Sequence, residues 1–414
     1  METYKTADLH PMFQDLLKRT DGWTDDINQT SLDYNFMTRH PTMSILFLTL
    51  LGISALAGNI GNILVIGAVI SYRPLLRNKG SMFVINLAIA DLCITGIVCP
   101  MNMIGVTKGP RFFLDKVQLC NLLGSICTVS CIVSMLSIAA VAVNRAIQIC
   151  KHFSYKRIFT QKKTICYCIA IWLFTILLDL PNWLGIGGHT FALKEMGCTF
   201  DRVANYYYSV FLAVVTVAIP MAIVFTSYVT TLCYVRSSRE NYVKHFGNLP
   251  KQRKHDEIQF SITLFIAFLA FVLCWSLYML AVLIDRHDTW PKQVYVFGTL
   301  FGHSNSCMNP IIYASFNERF RRGYKVFLRK LCCRKIVKEP FLKDAHFTSG
   351  FKTSKNRTFS ELRTASTKSN ESSSASSKSN ESASTNKSNE LPEASTRSDE
   401  LPLASIKSNE LPPA

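Results

Sequence analysis

The chain has 414 residues, 49% hydrophobic and only 18% charged, with 45 Lys and Arg against 28 Asp and Glu for a net charge of +17. In a soluble protein that excess would point to nucleic acid. Here most of it sits in alternate loops between long apolar stretches, which argues against a nucleic-acid partner and against a generic basic protein.

Residues 1–42 form a polar tail with no apolar run, so no cleavable signal peptide is apparent and the tail is expected to be translocated whole. Asn28-Gln29-Thr30 is a glycosylation sequon within it, usable only on the luminal side. Seven apolar stretches then fill residues 43–316: Met43 to Ile70, Ser81 to Met103, Val117 to Cys150, Thr164 to Leu184, Asn205 to Val235, Glu257 to Ile284 and Val294 to Phe316. A hydrocarbon core about 30 Å thick needs ~20 helical residues, and a helix hides its backbone polar groups from lipid. The predicted fold is an all-α membrane protein, a bundle of seven transmembrane helices. In residues 317–335 basic and apolar groups alternate at helical spacing, with Phe320, Tyr324, Phe327 and Leu331 on one face, which predicts an amphipathic helix on the membrane surface. Cys332 and Cys333 follow that face and suit S-palmitoylation; the alternative is two unmodified thiols. Residues 336–414 are rich in Ser, Asn, Lys and Glu in an imperfect repeat of about ten, a composition expected to stay disordered.

The cationic loops are the first (Arg73, Arg77, Lys79), the third (Lys151, Lys156, Arg157, Lys162, Lys163), the fifth (Arg236, Arg239, Lys244, Lys251, Arg253, Lys254) and the segment from Arg319 to Lys330. By the positive-inside rule the N-terminus is outside and the C-terminus cytosolic, so Asn356, Asn370 and Asn380 should stay unglycosylated. Of fourteen cysteines most lie within the apolar spans, where they act as small hydrophobes. Only Cys120 and Cys198 fall on the oxidising outer side, and they are expected to pair.

A signature residue in nearly every span resembles the rhodopsin-like (class A) G-protein-coupled receptors over residues 43–333. The motifs are Gly61-Asn62-Ile63-Leu64-Val65, Leu87-Ala88-Ile89-Ala90-Asp91-Leu92, Asn144-Arg145, Trp172, Pro220 with Tyr228, Phe271 to Trp275, and Asn309-Pro310 with Tyr313. Cys120 precedes Arg145 by 25 residues, a rise of about 37 Å that puts one at the outer rim and the other at the cytosolic mouth. Asn144-Arg145, Ile149-Cys150, Leu180-Pro181-Asn182, Cys198-Thr199-Phe200 and Asn305-Ser306-Cys307 are similar to the melatonin receptors, and as similar to the invertebrate trapped-in-endoderm and moody receptors.

The resemblance implies a cell-surface receptor at the plasma membrane that activates a heterotrimeric G protein and performs no covalent chemistry. It implies a ligand pocket of Cys127, Thr128, Cys131, Leu212, Trp275, Tyr278, Met279, Val282, Thr299 and His303. It also implies switch residues Asn144, Arg145, Tyr228, Glu257, Trp275, Asn309, Pro310 and Tyr313. Arg145 near the inner face is expected to latch onto Glu257, or else to snorkel to lipid phosphate. Asp91 in mid-membrane needs compensation; Ser134, Asn305, Ser306 and Asn309 around it would suit Na⁺, the alternative being a protonated carboxyl in a hydrogen-bond network. That ion is the only cofactor expected.

Cys127 stands where amine receptors carry an aspartate, so a monoamine would lack its counter-ion, and His303 stands where opsins carry the retinal lysine. The rest of the lining reads as neutral and fairly apolar, which fits a neutral or lipophilic extracellular small molecule or lipid. His303 either hydrogen-bonds that ligand or is a packed core histidine. Asp179, near the outer end of the fourth span, either contacts a ligand or reaches water. Three positions depart from the family pattern: Asn144 replaces an acid, Ala146 a tyrosine and Leu277 a proline, so the sixth span is straighter or bent by another device. Phosphorylation by receptor kinases would make the tail an arrestin-docking strip, and membrane lipids are the remaining partners. A transporter or channel is the competing function, but it predicts repeats and broken helices that the sequence does not show. A zinc hydrolase is disfavoured, since the nine histidines are scattered with no closely spaced ligand pair. If the tail is outside, Asn28→Gln abolishes the endoglycosidase-sensitive mobility shift of the cell-expressed protein, whereas a shift that survives would place the modification elsewhere.

Overall fold

The computed structural model describes residues 35–246 and 251–332, with side chains described except at 239, 241–246, 251–265, 267 and 268. Seven long helices run in the order the hydropathy demands: α1 Pro41–Ser71, α2 from Ser81 to Lys108, α3 Val117–Cys150, α4 Gln161–Trp183, α5 from Tyr206 to Phe246, α6 Lys251–Ile284 and α7 Lys292–Phe316. A further helix, α8, spans Glu318–Cys332.

Among the described residues, α1 to α5 are long and apolar enough to cross a membrane, and the described apolar part of α6 is Leu269–Ile284. α7 is more polar than its neighbours because it carries His303, Asn305, Ser306 and Asn309, all buried inside the bundle. The outward surface is apolar instead: Leu56, Leu173, Leu177 and Leu273 are each more than 60% exposed, a distribution that only a hydrocarbon solvent rewards.

Between helices in lipid, association rests on close packing and interhelical hydrogen bonds rather than on expulsion of water. Asn62 Nδ2 on α1 donates to the Ser306 carbonyl of α7 at 2.9 Å. Thr95 Oγ1 on α2 donates to Asn59 Oδ1 on α1 at 3.2 Å. Asn86 joins three helices, donating to Ser137 Oγ on α3 at 2.8 Å and accepting from Trp172 Nε1 on α4 at 2.9 Å. Small residues let the backbones approach, and at Gly61 an added Cβ would stand 2.7 Å from the Pro310 ring.

Two helices are not regular. α2 contains a π turn at Ile94–Val98, just before Pro100, and α5 contains one at Val214–Ala218, just before Pro220. A proline cannot donate to the carbonyl four residues back, and a widened turn absorbs the mismatch. α6 carries Leu277 and runs as one α-helix, with no proline or π turn to break it.

α8 buries Phe320, which stacks on Tyr313 of α7 at 4.8 Å, and sets Phe327 against Gly67 of α1. Of the predicted apolar face, Leu331 departs: it lies 69% exposed, one residue before the exposed Cys332. Cys333 and the Ser-rich segment from 336 lie outside the described residues, as do Asn28 and most of the segment 1–42. Residues 35–40 fold back onto the bundle, where Phe36 joins a core cluster with Phe47, Leu51 and Val106.

Overpacking a rigid contact costs about 1–3 kcal/mol. Gly61→Ala is therefore expected to lower the thermal stability of the solubilised protein. Gly52→Ala, whose nearest neighbour would be Met103 Cε at 3.8 Å, should match or exceed wild type. Equal melting of the two variants would contradict this packing.

Candidate ligand cavity and switch residues

The segment between α4 and α5 folds into an antiparallel hairpin, β1 His189–Ala192 and β2 Gly197–Phe200, with Phe191 opposite Cys198. Cys198 is bonded to Cys120 at the start of α3, with a Cα–Cα distance of 5.2 Å. The disulfide packs with Phe113, Leu123 and Phe191 in one buried cluster. Glycines let the hairpin sink into the bundle: a Cβ at Gly105 would meet the Met196 carbonyl at 2.2 Å, and one at Gly124 would meet the His189 ring at 2.8 Å. Met196 turns the hairpin with a positive φ of 56° and is fully buried.

The hairpin roofs a cavity of about 830 Å³, its mouth included, and all ten predicted pocket residues line it. Its floor is Trp275, whose ring stacks on Phe271 above a cluster with Met135 and Val217. Three buried polar atoms among these ten have no hydrogen-bond partner: Trp275 Nε1, Thr299 Oγ1 and His303 Nδ1. Buried polar groups are nearly always paired, so such a concentration in one cavity marks a place built for an occupant.

The expectation of a neutral lining fails at one residue. Glu195, in the hairpin turn, is 5% exposed and lines the cavity. Tyr278 Oη donates to its Oε1 at 3.3 Å, and Arg202 Nε lies 3.9 Å from the same oxygen. Burial pushes the Glu195 carboxyl up to about 7, against the opposing pull of Arg202. Arg202 in turn meets Asp288 and lies over the Tyr295 ring at 4.0 Å. Lys194 binds Asp288 at 2.8 Å and donates to the Trp290 carbonyl at 2.8 Å. Burial alone would raise the Asp285 carboxyl. Bonds from Tyr295, the Trp290 and Thr289 amides and the Thr289 hydroxyl outweigh it and hold that group at about 2. Lys194 of the hairpin and Arg202 just beyond it thus tie this loop to the one between α6 and α7. Sequence reasoning missed Glu195 because a loop residue's depth depends on the fold of the loop.

Asp179 takes neither of its two expected roles. It is 2% exposed and lies outside the cavity lining. Its carboxylate accepts from Ser125 Oγ at 2.5 Å, Asn182 Nδ2 at 2.9 Å, Trp183 Nε1 at 3.2 Å and His189 Nε2 at 3.2 Å. It is the hub that fixes α3, α4 and β1 to one another.

Deeper in the bundle Asp91 is fully buried. Ser134 Oγ donates to its Oδ1 at 3.0 Å, Asn309 Nδ2 to its Oδ2 at 2.9 Å, and the Ser306 side chain also reaches it. Asn305 is buried too. At the opposite end Arg145 Nη1 donates to Gln148 Oε1 at 2.9 Å. The Glu257 side chain lies outside the described residues, so the expected latch is not seen. Asn144 is buried, its amide packed on Gly80 without a hydrogen-bond partner. The sequence-based judgement that no ligand pair is closely spaced also needs correction. Cys127 and Cys131 of α3 and His303 of α7 bring their ligating atoms within 4.8 Å of one another. The signal in the sequence is the pair of cysteines one helical turn apart.

Removing a buried acceptor strands its donors and breaks the pair with His189, at a cost of about 3 kcal/mol or more. Asp179→Ala is expected to lower the melting temperature sharply, and a variant that melts like wild type would disprove the hub.

Comparison with known proteins agrees with this architecture. Residues 61–313 match the seven-transmembrane receptor family of the rhodopsin type. The chain is 30% identical to the melatonin receptor type 1A of Gallus gallus, over 74% of this chain and 87% of that one. It is 31% identical to the type 1A receptor of Mus musculus, over 67% and 78%, and 30% identical to the type 1B receptor of Homo sapiens, over 66% and 75%. Seven helices in order, the tied hairpin over a cavity and these similarities establish that the chain belongs to the rhodopsin-like family of G-protein-coupled receptors, close to the melatonin receptors, and is a multi-pass cell-surface receptor.

Proposed function

We propose that the receptor detects a neutral or lipophilic extracellular small molecule, which enters the roofed cavity and changes the packing of Trp275. The observation that carries this is the largely apolar cavity holding three buried, unpartnered polar atoms, Trp275 Nε1, Thr299 Oγ1 and His303 Nδ1. A weakly polar occupant would satisfy them without a charge of its own. The melatonin receptors it resembles bear the name of one small molecule, which makes indole-like ligands a sensible first probe.

On this reading the N-terminus is extracellular, the tail is cytosolic, and the output is nucleotide exchange on a heterotrimeric G protein, with no covalent chemistry. Arg145, Tyr228, Asn309, Pro310 and Tyr313 form the transmission path. Receptor kinases and arrestin act on the Ser-rich tail, and Cys332 and Cys333 take palmitate. Asp91 with Ser134, Asn305, Ser306 and Asn309 offers one negative charge and several oxygens, a set that fits a hard monovalent cation such as Na⁺.

Glu195 would make recognition pH-sensitive. The titrating or charged groups that face it are Arg202 from the same loop, Tyr278 of α6, Cys127 of α3 and His303 of α7. Above pH 7 it is a carboxylate, and a neutral occupant must strip its remaining water; below pH 7 it is protonated and the penalty falls.

The test is nucleotide exchange by a co-reconstituted G protein in nanodiscs, screened with neutral indoles, lipids and monoamines. A neutral ligand should accelerate exchange, its potency rising as pH falls from 8 to 6 through the Glu195 transition. Glu195→Gln should hold the low-pH potency throughout. Trp275→Phe and Thr299→Val should each weaken potency by about 3–10-fold. Replacing sodium by choline should strengthen agonist binding. Monoamine activation, or solute flux without exchange, would overturn the proposal, and sodium-insensitive affinity would remove its cation site.

A further inference from the structure

The best-assembled cluster of metal-type ligands among the described residues lies in the wall of the cavity. Cys127 and Cys131 are four apart on α3 and so share a face. Across from them α7 presents His303. Cys127 Sγ and His303 Nε2 are 3.6 Å apart, and all three ligating atoms lie within 4.8 Å of one another. Tetrahedral zinc with its ordinary bond lengths requires about 3.6 Å between a sulfur and a nitrogen ligand and about 3.8 Å between two sulfurs. The cluster is already close to that spacing.

We propose that Cys127, Cys131 and His303 form a zinc site in the wall of this cavity. Thiolates select zinc over calcium or magnesium, which prefer oxygen. Charge balance also favours it. Zn²⁺ with two thiolates and a neutral imidazole carries no net charge, so the filled site can sit inside a membrane bundle without a stranded ion. On binding, each thiol gives its proton to solvent as its Zn–S bond forms, and two protons leave per metal. His303 ligates through Nε2 as a neutral ring, which makes its Nδ1 an N–H donor. That atom is buried and unpartnered, 5% of the residue being exposed. Thr199 of β2, on the roof, lines the same cavity as Cys127 and His303. Three protein ligands leave the fourth position to water or to a donor atom of whatever occupies the cavity, as in sites where zinc meets a substrate rather than only holding a fold.

The inference does not depend on which ligand the receptor senses or on G-protein coupling, because its readout is metal binding by the purified full-length receptor. Co²⁺, as a spectroscopic stand-in for zinc, is added to the receptor in nanodiscs. The expected result is a thiolate-to-cobalt charge-transfer band saturating at one equivalent and displaced by Zn²⁺. Cys127→Ser, Cys131→Ser and His303→Gln should each weaken apparent affinity by more than the ~10-fold that follows loss of even a supporting residue at such sites. Cys168→Ala, which alters a half-buried thiol of α4, should leave it unchanged. A second measurement needs no variant. Zinc should protect Cys127 and Cys131 of the wild-type receptor from a small lipophilic maleimide, as read by peptide mass, without protecting Cys233. A missing band, a band that survives Cys127→Ser, or alkylation unaffected by zinc would each overturn the site.

Discussion

The covalent tie between Cys120 and Cys198 is the constraint on which the cavity-bearing half of the bundle depends. It fastens the hairpin to the top of α3, and the hairpin can seat there only because Gly105 and Gly124 leave room for the Met196 carbonyl and the His189 ring. From that placement follow the roof of the cavity, the delivery of Glu195 into its lining, and the position of Lys194 and Arg202 beside Asp288. His189, carried by the same hairpin, reaches Asp179 and so links the roof to α4. The roof narrows the cavity's access to water, and in such a partly shielded space each polar group counts for more.

The inner half is organised differently. There, buried polar side chains join the helices, at Asn62, Asn86 and Asp91, and an apolar cluster of Met135, Val217 and Phe271 packs against Trp275 at the cavity floor. A ligand touching Trp275 therefore presses directly on a packed apolar cluster. α6 has Leu277 where the family has proline, and the backbone irregularities of the described helices include the π turns of α2 and α5 and the internal Pro181 of α4 and Pro310 of α7.

Much of this was legible in the sequence because lipid leaves a chain so few options. Seven apolar runs, alternating charge and two outer cysteines gave the bundle and its disulfide, and family motifs placed ten residues that indeed share one cavity. The misses share a cause. Asp179, Glu195 and the cluster of Cys127 with Cys131 and His303 all owe their surroundings to contacts between elements distant in sequence. Local pattern shows the i, i+4 spacing of Cys127 and Cys131 but not the partners that the fold brings to them. A π turn is equally silent, since it changes no residue type and shows only in the backbone beside a proline.

Hydrogen–deuterium exchange of the receptor in nanodiscs, before and after selective reduction of the outer disulfide, tests the role of the roof most directly. The account predicts that amides from His189 to Phe200 are protected in the oxidised protein and exchange rapidly once the bond is reduced, while those of α3 and α7 at mid-membrane stay protected. A hairpin that remains equally protected after reduction would show that the disulfide does not hold the roof in place.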